Sequence, residues 1–408
     1  MGLLLTFYGL QNIAEEEIEL LISSIKHVIP LEAYGDLDFD KLANLVLEVA
    51  HLSHKDWEKT IEYSQRLEDL LLPHSIATEG SKIDDAEKSH LFRSIFERVL
   101  RDGKWEDARQ ASRLRNEEKK DERPWVVVVT GLNGIRKTTT IYLECYKVLL
   151  SEALVVPEGE SDSIDPSYLP IGANSFFRQL DHMIAVLANL QFVTLYKIQQ
   201  GDTDESRKTA IAAYSKYKDA IFARYRMLSE MVGIILCREA QRSNVNIMVE
   251  TSGRDISMYK YVNSVFGDKT NRYRKLALHF TINDLSFAEQ SVDIRMLDEI
   301  RRGKEALAGD EDENINSTVR RVVDVNSGGP YGSEVLKGVQ ADSERVWNEV
   351  WSDAPNKDDA TATQTVTDGW YKACFHIDGD QSKPWKVTSI LPDGRNGSVF
   401  EFPVRKHA

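Results

Sequence analysis

Cysteine is scarce. Cys145, Cys237 and Cys374 are the only three in 408 residues, too few and too far apart for a disulfide framework or a zinc cluster, and they fit a reducing compartment. Positive charge is outweighed as well: 51 Lys and Arg against 65 Asp and Glu give a net charge of -14. That balance excludes broad nucleic-acid binding by the whole surface, because neutralising phosphates needs a basic face. No apolar run approaches the roughly 20 residues of a membrane span, and the start lacks the charged region of a secretory signal. The expectation is a cytoplasmic protein with no membrane span and no nucleic-acid partner. Met1-Gly2-Leu3-Leu4-Leu5-Thr6 fits the loose N-myristoylation pattern, though its plainer reading is a short apolar segment packed on the first helix.

The chain is long enough, at 42% hydrophobic residues, for a large core in two or three folding units. Residues 1–120 carry apolar residues at helical spacing over Glu15–Ile29, Phe39–Leu52, Trp57–Leu72, Ala86–Leu100 and Trp105–Asn116, which predicts a helical bundle. Breaks fall at Gly35 and Pro73–Ser81. Over residues 121–353 short apolar runs alternate with longer amphipathic ones, the rhythm of a parallel α/β sheet. Candidate strands are Trp125–Val129, Leu169–Ile171, Asn246–Val249, Leu276–Ile282 and Val319–Val325. Residues 354–408 begin as a polar linker. They end in a stretch dense in Trp, Tyr, Phe and Val with Asp378-Gly379 and Asp393-Gly394, which predicts a small antiparallel β appendage.

The most informative stretch is WVVVVTGLNGIRKTTT, residues 125–140. An apolar strand enters a turn formed by Gly131, Leu132, Asn133, Gly134, Ile135 and Arg136, and then Lys137, Thr138 and Thr139 open a helix. Backbone N–H groups in such a turn converge on phosphate oxygens. Lys137 would reach the β- and γ-phosphates, and the Thr138 hydroxyl would ligate Mg²⁺. Arg136 stands where the usual pattern has its second glycine, which lets backbone pass close to phosphate without a Cβ. These residues point to ATP and Mg²⁺ as cofactors.

Three later segments carry chemistry. In Gly172–Met183 a short strand ends in small polar residues, and a helix capped by Asn174 or Ser175 would carry Phe177, Arg178 and Asp181. In Ser243–Asp255 an apolar strand ends in Glu250 and Thr251, with Arg254 behind them; ligands of open α/β sheets lie at such strand ends. In Lys275–Leu307 a strand precedes a helix that Ser286-x-x-Glu289 would open as a capping box. Arg295 and Arg302 lie two turns apart on one face of that helix and could clamp transferring phosphate, or simply pair with Asp293, Asp298 and Glu299. The helix from Asp202 to Gln241, with Tyr214, Tyr217, Tyr225 and Met231, reads as scaffold.

In order and spacing, these segments resemble the zeta-toxin family of P-loop small-molecule kinases over about Trp125–Leu307. Asn246-Ile-Met-Val-Glu250-Thr251-x-x-Arg254 is similar to that family's strand followed by Glu, Thr and Arg. Leu276–Phe280 leading to Arg295 looks like its next strand and lid helix. Ser175-Phe-Phe-Arg178 looks like its Asp-x-Phe-Arg motif, with Ser175 in place of the catalytic Asp. The resemblance implies a P-loop kinase-like doubly wound, mainly parallel sheet and ATP-dependent phosphorylation of a sugar hydroxyl on UDP-N-acetylglucosamine. The catalytic set would be Lys137, Asp181, Glu250, Arg295 and Arg302, with Ser175, Arg178, Thr251 and Arg254 toward the small-molecule acceptor. The alternative is a catalytically degenerate nucleotide-binding protein with a scaffold or regulatory role.

Overall fold

The computed structural model describes residues 15–72, 90–118, 122–160, 164–198, 204–267, 272–308, 315–326, 328–352, 366–380 and 383–403. The N-myristoylation pattern, the 73–81 break and the expected 354–364 linker lie outside them. Two compact units emerge, and they do not follow chain order: residues 1–103, 179–238 and 293–332 make one, and residues 104–178, 239–292 and 333–408 the other.

Among the described residues, the first unit holds helices and no strand. Its opening helices, Glu15–Val28, Phe39–Val49 and Trp57–Leu71, match the apolar periodicity, and Asp38 and Asp56 cap the second and third through the amides of Lys41 and Lys59. The stretch expected as one helix over Ala86–Leu100 appears as His90–Ile95 and Glu97–Asp102, parted at Phe96. Val319–Val325 is not a strand. Its valines 319, 322 and 323 recur at helical spacing, and the helix Ile315–Val325 buries all three.

An ion pair sits at the centre of this unit. The Lys218 ammonium is 2.7 Å from Glu299, with both side chains fully buried, and the Tyr214 hydroxyl donates to the same carboxylate at 2.8 Å. Burial pulls the Lys218 pKa down, and Glu299 opposes that shift. A desolvated pair adds little net stability while intact, but removing one partner strands the other.

The second unit is built on a seven-stranded α/β sheet: β1 (Trp125–Gly131), β2 (Ser175–Arg178), β3 (Asn246–Glu250), β4 (Arg274–Ile282), β5 (Tyr371–Asp378), β6 (Trp385–Ile390) and β7 (Asn396–Phe402), in the spatial order β2-β3-β1-β4-β5-β6-β7. The first five are mutually parallel, and the β5–β6 and β6–β7 pairs are antiparallel. Every residue of β1 is buried, which is why a central parallel strand reads as an unbroken apolar run. Two expectations change here. The short strand is Ser175–Arg178 rather than Leu169–Ile171, so Phe177 and Arg178 are extended, not helical. The aromatic tail is no separate appendage, because β5 pairs in register with β4 and carries the β6–β7 hairpin into the same sheet.

Glu152, on the helix Tyr146–Ala153, ties that helix to the hairpin. Its carboxylate accepts from the hydroxyls of Ser389 and Ser398, both at 2.6 Å, and from the Ser398 amide at 2.9 Å. These donors hold its pKa below the ordinary carboxylate value.

Two stability measurements follow. Lys218→Met should cost about 3–5 kcal/mol in denaturant unfolding by leaving Glu299 buried and unpaired, and adding Glu299→Leu should recover most of it. Glu152→Gln should lower stability at neutral pH. Because the folded-state pKa is depressed, the wild-type advantage is present above the unfolded value of 4.5 and fades as pH falls through the lower folded value.

Candidate functional site

The chain leaves β1 through a tight loop. Gly131 has φ +125°, and a Cβ there would lie 2.5 Å from the Phe280 carbonyl oxygen; at Gly134, with φ +86°, it would lie 2.6 Å from that of Ala288. Arg136 adopts left-handed geometry at φ 68°, ψ 21°. That conformation costs an L-residue about 1–2 kcal/mol relative to glycine. Its carbonyl accepts from the Thr140 amide at 2.8 Å and the Thr140 hydroxyl at 3.0 Å, which starts the helix Lys137–Ile141. Turns of this kind aim successive backbone N–H groups at one point, the geometry of an anion-binding nest.

Lys137 is 3% exposed. Its ammonium donates to the carbonyls of Gly131 and Leu132, both at 2.8 Å, and lies 3.3 Å from Glu250. The Thr138 hydroxyl donates to the other Glu250 oxygen at 3.3 Å. One carboxylate at the end of β3 therefore faces both residues expected to meet phosphate and magnesium. The Arg136 guanidinium lies over the Phe287 ring, 5.7 Å from its centroid, a contact worth about 0.5–1 kcal/mol.

A second polar group flanks β1 on its other side. The Thr130 hydroxyl lies 2.8 Å from the Leu278 carbonyl, which accepts from it, and 2.9 Å from His279 Nδ1. The ring stacks on Trp347 at 4.6 Å and 10°. Burial, reinforced by the Lys137 charge, lowers the His279 pKa to about 4. None of these three residues stood out in the sequence. The available signal was a His inside the apolar run Leu276–Phe280, in register with the last residue before Gly131.

The expected site residues divide. Gly131–Thr139 and Glu250 come together, and Thr251 joins them, its amide donating to the Val129 carbonyl at 2.9 Å. Arg178 ends β2 at the same carboxyl end of the sheet, donating to the Tyr261 hydroxyl at 3.0 Å. Arg254 is exposed beyond Gly253. Ser175 is not brought to this group. It pairs with Asn246 at the amino end of β3, four residues or about 13 Å from Glu250, and its hydroxyl donates to Asn174 Oδ1 at 2.9 Å.

Asp181, Arg295 and Arg302 belong to the helical unit. The Asp181 carbonyl accepts from Asn326 at 3.0 Å. Arg295 donates to the Gly329 carbonyl at 3.1 Å; Arg302 donates to that of Val325 at 2.9 Å and pairs with Asp298 at 2.8 Å. These arginines satisfy carbonyls at and beyond a helix C-terminus. The expected capping box at Ser286 also differs: the helix Leu285–Leu307 begins one residue earlier, and Asp284 accepts from the Ser286 amide at 2.9 Å.

Among the described residues, no group of three or more His, Cys, Asp and Glu side chains is placed to hold a metal. A hydroxyl and a carboxylate such as Thr138 and Glu250 instead fit magnesium, which takes few protein oxygens and fills its shell with phosphate and water. Comparison with family models, with curated proteins and with solved structures found no match.

Two histidines, one buried and one largely so, give an expected pH response. His279 and His182, the latter lowered to about 3 mainly by burial, both resist protonation when folded. The unfolded chain then binds more protons from pH 6.5 down to about 4 and about 3 respectively, so stability should fall with pH through that window. His279→Gln should flatten this acid limb in urea titrations at pH 4–7. An unchanged slope would mean that His279 titrates normally.

Proposed function

We propose that the chain is an ATP- and Mg²⁺-dependent phosphotransferase acting on a hydroxyl of a small molecule, with a P-loop kinase-like doubly wound core. The observation that carries this reading is the buried Lys137 ammonium on its own loop carbonyls, with Glu250 and Thr138 in reach. Its place in the sheet adds support. The chain steps from β1 past β3 to β2, returns through β3, and crosses to β4 on the far side of β1. Connections therefore diverge at the carboxyl ends of β1, β3 and β4, where open α/β sheets take ligands.

In this reading the loop amides and Lys137 hold phosphate oxygens, and Thr138 and Glu250 supply oxygens to magnesium. When bound, the metal neutralises charge on the transferring group. Thr251, Arg178 and Arg254 stand toward the acceptor, and a nucleotide sugar is the class suggested by the zeta-toxin resemblance. Phosphoryl transfer through a loose transition state asks more for alignment than for proton removal.

One observation favours a second reading, a catalytically degenerate nucleotide-binding protein. Arg295 and Arg302, the arginines proposed to clamp phosphate, are engaged with backbone carbonyls, and Ser175 belongs to a polar knot at the other end of β3. Mg·ATP binding without phosphorylation of any hydroxyl acceptor would favour it.

Calorimetry tests the binding half shared by both. Folded wild type should bind Mg·ATP, and Lys137→Ala should weaken binding about 10–100-fold, the loss of a charged hydrogen-bond donor. Glu250→Gln should reduce the dependence of affinity on Mg²⁺. Absence of binding to folded wild type would overturn both readings.

A further inference from the structure

We propose that Glu250 makes this loop select phosphates that carry a divalent cation, by holding Lys137 and Thr138 back from metal-free anions. This rests on the nucleotide-binding reading above. The class admitted is a metal-loaded polyphosphate, and the class refused is a bare phosphate chain such as a metal-free nucleotide.

The geometry is that of a latch. Glu250 spends both carboxylate oxygens on the two residues assigned above to the ligand. Its Oε1 lies 3.3 Å from the Lys137 ammonium, and its Oε2 accepts from the Thr138 hydroxyl at 3.3 Å. A metal-free anion arriving at the loop has to draw Lys137 away from that carboxylate. It must then sit beside the negative charge left behind, where water screens little because the Lys137 side chain is 3% exposed. An anion that carries magnesium meets neither obstacle. The carboxylate and the Thr138 hydroxyl turn to the cation, and Lys137 turns to the phosphate oxygens.

The surroundings confine this change to side chains. Glu250 ends β3 in register with Val129, and the next amide, that of Thr251, donates to the Val129 carbonyl at 2.9 Å. The main chain bearing the carboxylate is therefore pinned to β1, while the Glu250 side chain is 33% exposed and has room to turn. Both latch contacts are longer than the roughly 2.7–2.9 Å of a tight charge-assisted pair, so they yield to a better partner. Lys137 also holds the carbonyls of Gly131 and Leu132 at 2.8 Å, so its charge is not stranded when Glu250 departs.

The test is calorimetry of the full-length protein with ATP in excess Mg²⁺ and with ATP in EDTA, for wild type, Glu250→Gln and Glu250→Asp, with melting temperature as the check on folding. Wild type should bind Mg·ATP about 100-fold more tightly than metal-free ATP, or better. Glu250→Gln should bind metal-free ATP about 10–100-fold more tightly than wild type does, as expected when a charged hydrogen-bonded competitor is removed. Its affinity for Mg·ATP should not rise. Glu250→Asp separates the latch from charge alone. It keeps the carboxylate but is one methylene too short to span Lys137 and Thr138, so it too should tighten metal-free binding, by about threefold or more. If wild type binds both forms of ATP alike, or if either variant binds metal-free ATP as wild type does, Glu250 is no latch and the proposal is overturned. Should Glu250→Gln not fold, the wild-type ratio and Glu250→Asp decide. Folded wild type that binds ATP in neither condition would overturn the function proposed above, a separate outcome from a loop that takes ATP equally with and without metal.

Discussion

The arrangement around β1 depends on keeping one ammonium group satisfied while it is almost wholly removed from water. An unpaired charge at that depth would be prohibitively expensive. Lys137 avoids the penalty through two loop carbonyls and Glu250. Each partner imposes a condition on the chain. The carbonyls of Gly131 and Leu132 can turn inward because Gly131 adopts φ +125° where no Cβ would fit against Phe280. Glu250 must end a strand beside β1, and parallel pairing sets it level with Val129.

The sheet order explains why such a group forms here. β1 is flanked by β3 on one side and β4 on the other, so its carboxyl end receives Glu250 from one neighbour and stands beside His279 of the other. The two side groups differ in kind. Glu250 is ionic and faces the loop. His279 is neutral, hydrogen-bonded to Thr130, and stacked on Trp347. A neutral ring beside Lys137 adds no second positive charge, in keeping with its lowered pKa.

Much of this was legible in the sequence, for identifiable reasons. β1 announced itself because both of its faces are covered, and the glycines and Lys-Thr that follow have few other uses. The N-terminal helices were legible because each buries one stripe. Val319–Val325 misled because β-branched residues suggest a strand, although their spacing is helical and Arg320, Arg321 and Asp324 occupy the remaining positions. Ser175–Arg178 was hidden by its brevity: four residues, all buried, show no alternation. Pairings between distant residues left no local trace. Lys218 and Glu299 are 81 residues apart, and Thr130 and His279 are 149 apart. Arg295 and Arg302 show the opposite failure, since a tempting spacing on one helix face serves the carbonyls of a neighbouring segment.

The central claim, that the loop after β1 is where a nucleotide's phosphates are held, is tested most directly by amide hydrogen exchange of the full-length protein with and without Mg·ATP. The account expects slowed exchange concentrated in residues 131–140 and at the end of β3 around Glu250 and Thr251. Folded protein whose exchange changes elsewhere, or not at all, while residues 131–140 exchange as before would contradict it.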